Sequence, residues 1–234
     1  MERKCLKCGC EGAYKYGHMK GHQRYRCKNC GYQFTKTTPR GKPEKDKILA
    51  LILYLSGLSM SATGRILGVT AQSVMRWIRK IYDRFIVEKP DISAVKEVEM
   101  DEIHHYYQKK TQKLWIWKTI VHRSKNLIGW SFGQRDTKTL IKMYDRMGFD
   151  EIPHVYADCY KCYKEFSPAK NLTQSKRYTS PIERNNGRQR HWLAAFRRRS
   201  IGVAKSIENL EKTMALFARF RINGSIDELL ALLR

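Results

Sequence analysis

The chain has 234 residues, 42% of them hydrophobic and 11% aromatic, enough for one or two ordinary domains with a sizeable core. Its 46 Lys and Arg against 22 Asp and Glu give a net charge of +24, far beyond what solubility needs and suited to a polyanion such as nucleic acid. The bases are spread along the whole chain, which argues against an amphipathic membrane-surface segment, and no apolar run approaches the ~18 residues that span a bilayer.

Met1-Glu-Arg-Lys-Cys5 has no apolar segment behind its charges, so no signal peptide is expected and the setting is read as cytoplasmic. In a reducing compartment the seven cysteines are metal ligands or free thiols in preference to disulfides. Cys5-x-x-Cys8 and Cys27-x-x-Cys30, 18 residues apart, suit two knuckles converging on one structural Zn²⁺. Ala13 to Tyr16 and Gln23 to Arg26 alternate like short strands around a Gly17…Gly21 turn. Segment 1–43, with 11 Lys and Arg against 2 acids, has little core without metal and reads as a zinc ribbon. Cys10 is surplus; it could replace Cys8, but Cys8 keeps the symmetrical spacing.

Pro39 to Pro43 reads as a linker. Lys45 to Leu55 then has helical periodicity, with Ile48, Leu51, Ile52 and Leu55 on one face. Ser59 can cap a helix from Met60 to Leu67, Gly68-Val69-Thr70 makes a turn, and Thr70 can cap a third helix from Ala71 to Phe85. That last helix buries Val74, Ile78, Ile81 and Phe85 and leaves Gln72, Ser73, Arg76, Arg79 and Lys80 outside. Segment 44–90 therefore reads as a helix-turn-helix that binds double-stranded DNA, with Gln72, Arg76 and Arg79 the best base readers.

After Pro90 the pattern changes. Val95 to Tyr107, Lys113 to His122 and Asn126 to Gly133 are predicted as three consecutive strands. Asp136 can cap a helix to Met147, and Ile152 to Ala157 forms a fourth strand. A meander, a helix and a further strand make an α/β fold with a mixed, ribonuclease H-like sheet over 91–234. A helix opened by Ser180-Pro181 is expected to continue through Arg199, carrying Arg184, Arg188 and Arg190. An amphipathic helix with Val203, Ile207, Leu210, Met214 and Phe217 on one face follows, and the capping box Ser225-Ile-Asp-Glu228 starts a last helix to Leu233.

Three acids fall where a metal-dependent nuclease or transposase needs them. Asp101 lies in the first strand, Asp158 closes the fourth, and Glu183 sits in the first turn of the Arg-rich helix; carboxylates so placed can hold two Mg²⁺ or Mn²⁺ ions at a scissile phosphate. Asp158 has the strand-end position where open α/β sheets bind ligands. Segment 161–200 has 11 Lys and Arg against 2 acids, so Glu183 stands in a basic field that has no solubility need for it. Glu99 shares a strand face with Asp101 and Glu102 is adjacent, so the local choice is ambiguous; Asp101 is preferred for its short, stiff stem.

Cys5-x-x-Cys8, Gly21-His-Gln-Arg-Tyr-Arg-Cys27-Lys-Asn-Cys30, Gln33-Phe34-Thr35, Met100-Asp101-Glu102, Ala157-Asp158 and Ile182-Glu183-Arg184-Asn185-Asn186 resemble, in order, the transposases of the insertion sequence one family. The resemblance spans nearly the whole chain. It implies a prokaryotic, nucleoid-associated DDE transposase with Asp101, Asp158 and Glu183 as its metal-binding triad. It also implies that Arg188 and Arg190 hold phosphate beside the site, and that Tyr160 and Tyr163 are family aromatic positions. Transposon ends and target DNA would be its partners, and cutting two ends together calls for a homodimer or larger assembly. A non-catalytic DNA-binding regulator and a structure-specific nuclease are the competing readings. Cys159-x-x-Cys162 departs from the family pattern; packing thiols are preferred over a second metal site completed by His104, His105 or His154.

Overall fold

The computed structural model describes residues 4–35, 41–85, 91–149, 153–166, 171–197 and 203–234. They fall into two units, Met1–Pro43 and Glu44–Arg234.

The first unit is an antiparallel sheet of β1 (Ala13–Met19), β2 (His22–Cys27) and β3 (Gln33–Thr35), in that order. The β1–β2 turn is tighter than the glycine spacing suggests. Met19 pairs with His22, and Lys20 and Gly21 both take positive φ (50° and 78°), the geometry of a two-residue turn that follows strand twist. Gly17 instead lies within β1, where the register shifts between Lys15 and His18. Among its described residues the buried hydrophobic cluster is Cys5, Ala13, Cys27 and Phe34, too small to hold a sheet without a crosslink.

The second unit opens with α1 (Glu44–Leu55), α2 (Met60–Leu67) and α3 (Ala71–Phe85). Ser59 caps α2 by accepting from the Ala62 amide, and the Thr70 hydroxyl accepts from Ser73 at the start of α3. Gly64 lets the turn close on the helix: a Cβ there would lie 2.6 Å from the Val69 carbonyl. Gly68 ends α2 at φ 63°.

Strands β4 (Glu97–Tyr107), β5 (Lys109–Val121) and β6 (Leu127–Gly133) form the expected meander. Helix α4 (Thr137–Met147), capped by Asp136, crosses over to β7 (His154–Ala157), which runs parallel to β4. A short α5 (Lys161–Phe166) leads to β8 (Leu172–Gln174), parallel to β7. The strand order β6-β5-β4-β7-β8 makes a mixed sheet of ribonuclease H-like layout. β5 begins at Lys109, four residues before its predicted start, because Gln108 at φ 58° turns the chain at once.

Alternation sorts the sheet into two faces. Val98, Met100, Trp117, Leu140, Met143, Val155, Cys162 and Tyr163 share a core on the side of α4 and α5. The opposite face joins a cluster that includes Ile103, Ile116, Ile120, Leu51, Leu55, Val74, Ile78, Phe217 and Phe220. The three N-terminal helices of this unit thus share a core with the sheet. Polar contacts add to it: Tyr54 hydroxyl to Thr213 (3.3 Å), Arg221 to the Leu55 carbonyl (3.0 Å) and Arg197 to the Gly57 carbonyl (2.9 Å).

Three helix boundaries differ from the sequence reading. α6 (Ser180–Trp192) stops short of Arg199, because Leu193 turns extended and, with Phe196, enters the core through a 3-10 turn. Arg198 and Arg199 lie outside the described residues. α7 (Ile207–Phe217) starts four residues later than Val203, capped by Ser206, since Ala204 is committed to a bridge with Tyr107. A π-helical turn, Ala218–Ile222, continues α7. The last helix, α8, is Asp227–Ala231, and the Ser225 hydroxyl accepts from Asp227 instead of Glu228.

Candidate active site and metal centre

The parallel register pairs Glu97 with His154 and Glu99 with Tyr156. Continued by two residues, it sets Asp101 beside Asp158, at the carboxyl end of β7. A carboxylate oxygen from each of Asp101, Glu102 and Asp158 lies within 4.8 Å of the others. Burial, with the Glu102 and Asp158 charges adding, pushes the Asp101 carboxyl up to about 7. Such crowding of acids suits a divalent cation, which would offset their repulsion; the donor set is all oxygen, as Mg²⁺ and Mn²⁺ prefer.

Glu102 is held from the other face of β4. Tyr163, fully buried, donates to it at 2.8 Å, and Arg135 donates through Nε at 2.7 Å and also through Nη2. The Arg135 guanidinium is itself stacked 4.0 Å from the Tyr160 ring and 4.8 Å from Trp115. Asp158 accepts the Tyr160 amide at 2.9 Å, while Gln174 donates to the Asp158 carbonyl at 2.7 Å.

Glu183 stands outside this group. It is exposed in the first turn of α6, and its carboxylate has no hydrogen bond or ion pair with the described residues. Its position is nevertheless tightly set. Glu99, wholly buried, accepts the Ile182 amide at 3.0 Å and binds His122 (2.8 Å) and Lys125 (3.0 Å) with its other oxygen. Asn186 donates to Asp101 at 2.7 Å. Glu183 lies between these two anchors, three residues before Asn186, and so about 5–6 Å from it at Cβ.

Lys118 completes the docking of α6. It faces Asp101 across β4 and β5, is fully buried, and donates to the side-chain oxygens of Asn185, Asn186 (2.9 Å) and Gln189 (2.9 Å). Burial pulls its ammonium down to about 7, against the attraction of Asp101. Three acceptors and no donor around Nζ match the three N–H groups of the charged form, and that is the form we assign. Neither Lys118 nor the Glu99 anchor was singled out by sequence reasoning. The available signal was a lysine in the apolar run Leu114-Trp-Ile-Trp-Lys-Thr-Ile-Val121.

The basic residues are placed unevenly. Arg184 and Arg188 are exposed on α6 and Arg190 is half-buried. On α3, Gln72, Arg76 and Lys80 are exposed and Ser73 is half-buried. Arg79 Nε is tied to Asn209 of α7 at 2.8 Å, which limits its freedom as a reader.

In the first unit the Sγ atoms of Cys5, Cys8, Cys27 and Cys30 all lie within 4.8 Å of one another. Cys5–Cys30 and Cys8–Cys27 are 3.7 and 3.6 Å apart, close to the ~3.8 Å edge of a tetrahedron with ~2.3 Å zinc–sulfur bonds. The Cys30 amide lowers Cys27 to about 6 and the Cys8 amide lowers Cys5. Geometry and chemistry fit Zn²⁺. Cys10 is not in the set. Cys159 is exposed and Cys162 is packed in the core, and no second cysteine-containing cluster occurs among the described residues.

Carboxylates clustered across adjacent strands, a four-cysteine ribbon and three N-terminal helices in one strongly basic chain fit the class of DNA transposases. Comparison with known proteins gives the family: the sequence model described as IS1 transposase matches residues 94–223, over half of the 234, and the chain belongs to the IS1 transposase family. The match leaves residues 1–93 outside it. An insertion element IS1 protein InsB of Escherichia coli K12 is 26% identical over 133 residues, covering 57% of this chain and 80% of the relative. The Shigella flexneri InsB is 28% identical over 123 residues, 53% of this chain and 94% of its own. A solved Mos1 transposase paired-end complex with left transposon end aligns over 86% of this chain and 79% of that one, at TM-score 0.36 and 11% identity. Among the described residues no helix is long and apolar enough to cross a membrane.

Proposed function

We propose that this chain binds the terminal inverted repeats of an insertion sequence, cleaves a strand at each end, and joins the freed 3′ end to target DNA. The observation that carries the reading is the meeting of Asp101 and Asp158 on adjacent strands beneath a helix start that presents Glu183. Asp101, Asp158 and Glu183 would hold two Mg²⁺ or Mn²⁺ ions. Bound there, the ions supply a lowered pKa for the attacking hydroxyl and charge stabilisation for the leaving oxygen.

The chain's own residues orient the substrate. Glu99 and Asn186 fix the start of α6, the helix that carries Glu183. Arg184, Arg188 and Arg190 hold phosphates along that helix. Gln72, Ser73, Arg76, Arg79 and Lys80 bind the end DNA, Arg76 and Gln72 reading base edges in the major groove. One Zn²⁺ per chain, held by Cys5, Cys8, Cys27 and Cys30, keeps the ribbon folded for DNA contact. Two ends cut together call for at least a homodimer.

The test uses the purified full chain, end-containing duplexes, a target duplex and Mg²⁺ or Mn²⁺. Metal-dependent 3′ nicking and joined products are expected. Hydrolysis without joining would identify a nuclease, and end binding with no cleavage would identify a regulator.

A further inference from the structure

Most buried side chains of β5 are apolar or small; Lys118 is neither, and the phosphoryl-transfer scheme gives it no step. Its surroundings are built for a cation. The carbonyl oxygens of Asn185, Asn186 and Gln189 converge on Nζ. Gln189 turns its oxygen inward although this leaves its own Nε2 buried and without a partner. Asn186 is used at both ends, its oxygen accepting from Lys118 and its Nδ2 donating to Asp101. Reversing that amide would set NH₂ against an ammonium and oxygen against a carboxylate, so the two charges together fix its orientation.

We propose that Lys118 is a positioning residue of the catalytic centre: it locks the rotation of α6 through Asn185, Asn186 and Gln189 and, through Asn186, orients the Asp101 carboxylate. The inference rests on the transposase reading above. The three amides occupy positions i, i+1 and i+4, so one ammonium grips more than a full turn of helix. Glu183 sits three residues ahead of Asn186 on that same rigid body. A rotation of α6 therefore shifts Glu183 relative to Asp101, while loss of the Asn186 link frees Asp101 itself. Lys118 touches no reacting atom; its effect is exerted through those residues.

The experiment compares wild type, Lys118→Met, which keeps volume without charge, and Lys118→Ala, which leaves room for an added alkylammonium. Melting temperature, end-DNA Kd and Mn²⁺-dependent cleavage are measured on each full-length protein. Lys118→Met is expected to bind end DNA like wild type but to cleave about 10²-fold more slowly, the scale of loss for a misplacement near 1 Å. Its cleavage is also expected to need more Mn²⁺. In Lys118→Ala, propylammonium at fixed pH and ionic strength restores cleavage, and tetramethylammonium, which has no N–H, does not. Wild-type cleavage by Lys118→Met at the same Mn²⁺ would overturn the proposal. So would a Lys118→Ala that propylammonium stabilises without restoring its rate, and that comparison decides the matter if Lys118→Met does not fold. Absence of cleavage by wild type would instead strike at the transposase reading.

Discussion

Glu99→Ala tests how α6 is fixed over the sheet. Glu99 is wholly buried and is the acceptor for the Ile182 amide at 3.0 Å. Removing the carboxylate leaves that buried N–H without a partner, at a cost of about 1–3 kcal/mol. The truncation also leaves a cavity, for which another ~1–2 kcal/mol is reasonable at a site that collapses in part. The ion-pair partners add little, because His122 and Lys125 reach solvent, with 25% and 43% of their side chains exposed. The total of about 2–5 kcal/mol corresponds to a fall of about 4–20 °C in melting temperature for a unit of this size. Glu99→Gln keeps an oxygen for Ile182 and should lose much less. Thermal denaturation read by circular dichroism measures both, and hydrogen exchange at the amides of Ile182 and Glu183 shows where the loss falls. A Glu99→Ala melting temperature within about 1 °C of wild type would refute the anchoring argument.

Metal analysis should find about one Zn²⁺ per chain, lost on Cys27→Ser with Cys30→Ser and retained on Cys159→Ser with Cys162→Ser; a ratio near two would contradict the single site. Asp101 is raised to about 7, so between about pH 4 and 7 the metal-free folded protein keeps a proton the unfolded chain has released. Its contribution is full below pH 4 and lost as pH rises through 7. Asp101→Asn should remove that decline, and parallel pH–stability curves for the two proteins would show the shift to be absent. On α3, Arg76→Ala is expected to cost about 1–3 kcal/mol and relax base preference, while Lys80→Ala weakens binding to all sequences and reduces the salt slope by about 1. Equal losses on specific and random duplexes for Arg76→Ala would remove it from the readers.

The local signals in the sequence translated directly into elements. Double cysteine spacing, Ser59 and Thr70 caps, and the alternation through 95–133 each depend on near neighbours, and each appears close to its predicted place. The misjudged boundaries depend on tertiary demand. Nothing in the Arg-rich run after Glu183 announces that Leu193 and Phe196 will be drawn into the core and stop α6 at Trp192. Nor does the sequence announce that Ala204 will pair with Tyr107 and delay α7. The site divides in the same way. Asp101 was proposed from its place in an extended run and Asp158 from a strand end, whereas the partners of Glu99, Glu102 and Lys118 come from segments between 23 and 83 residues distant. Periodicity is blind to such pairings. Glu102 illustrates the ambiguity that remained in the run Glu99 to Glu102: it joins the carboxylate cluster, yet its oxygens are engaged by Arg135 and Tyr163.

Which third acid completes the centre is decided by locating the metal. Crystals of the full chain bound to end DNA, grown with Mn²⁺ and measured at the manganese edge, place each ion by its anomalous signal. The account predicts peaks bridged by Asp101 and Asp158 with Glu183 turned in as a ligand, and Glu102 still held by Arg135 and Tyr163. Manganese bound by Asp101, Asp158 and Glu102, with Glu183 left in solvent, would contradict it.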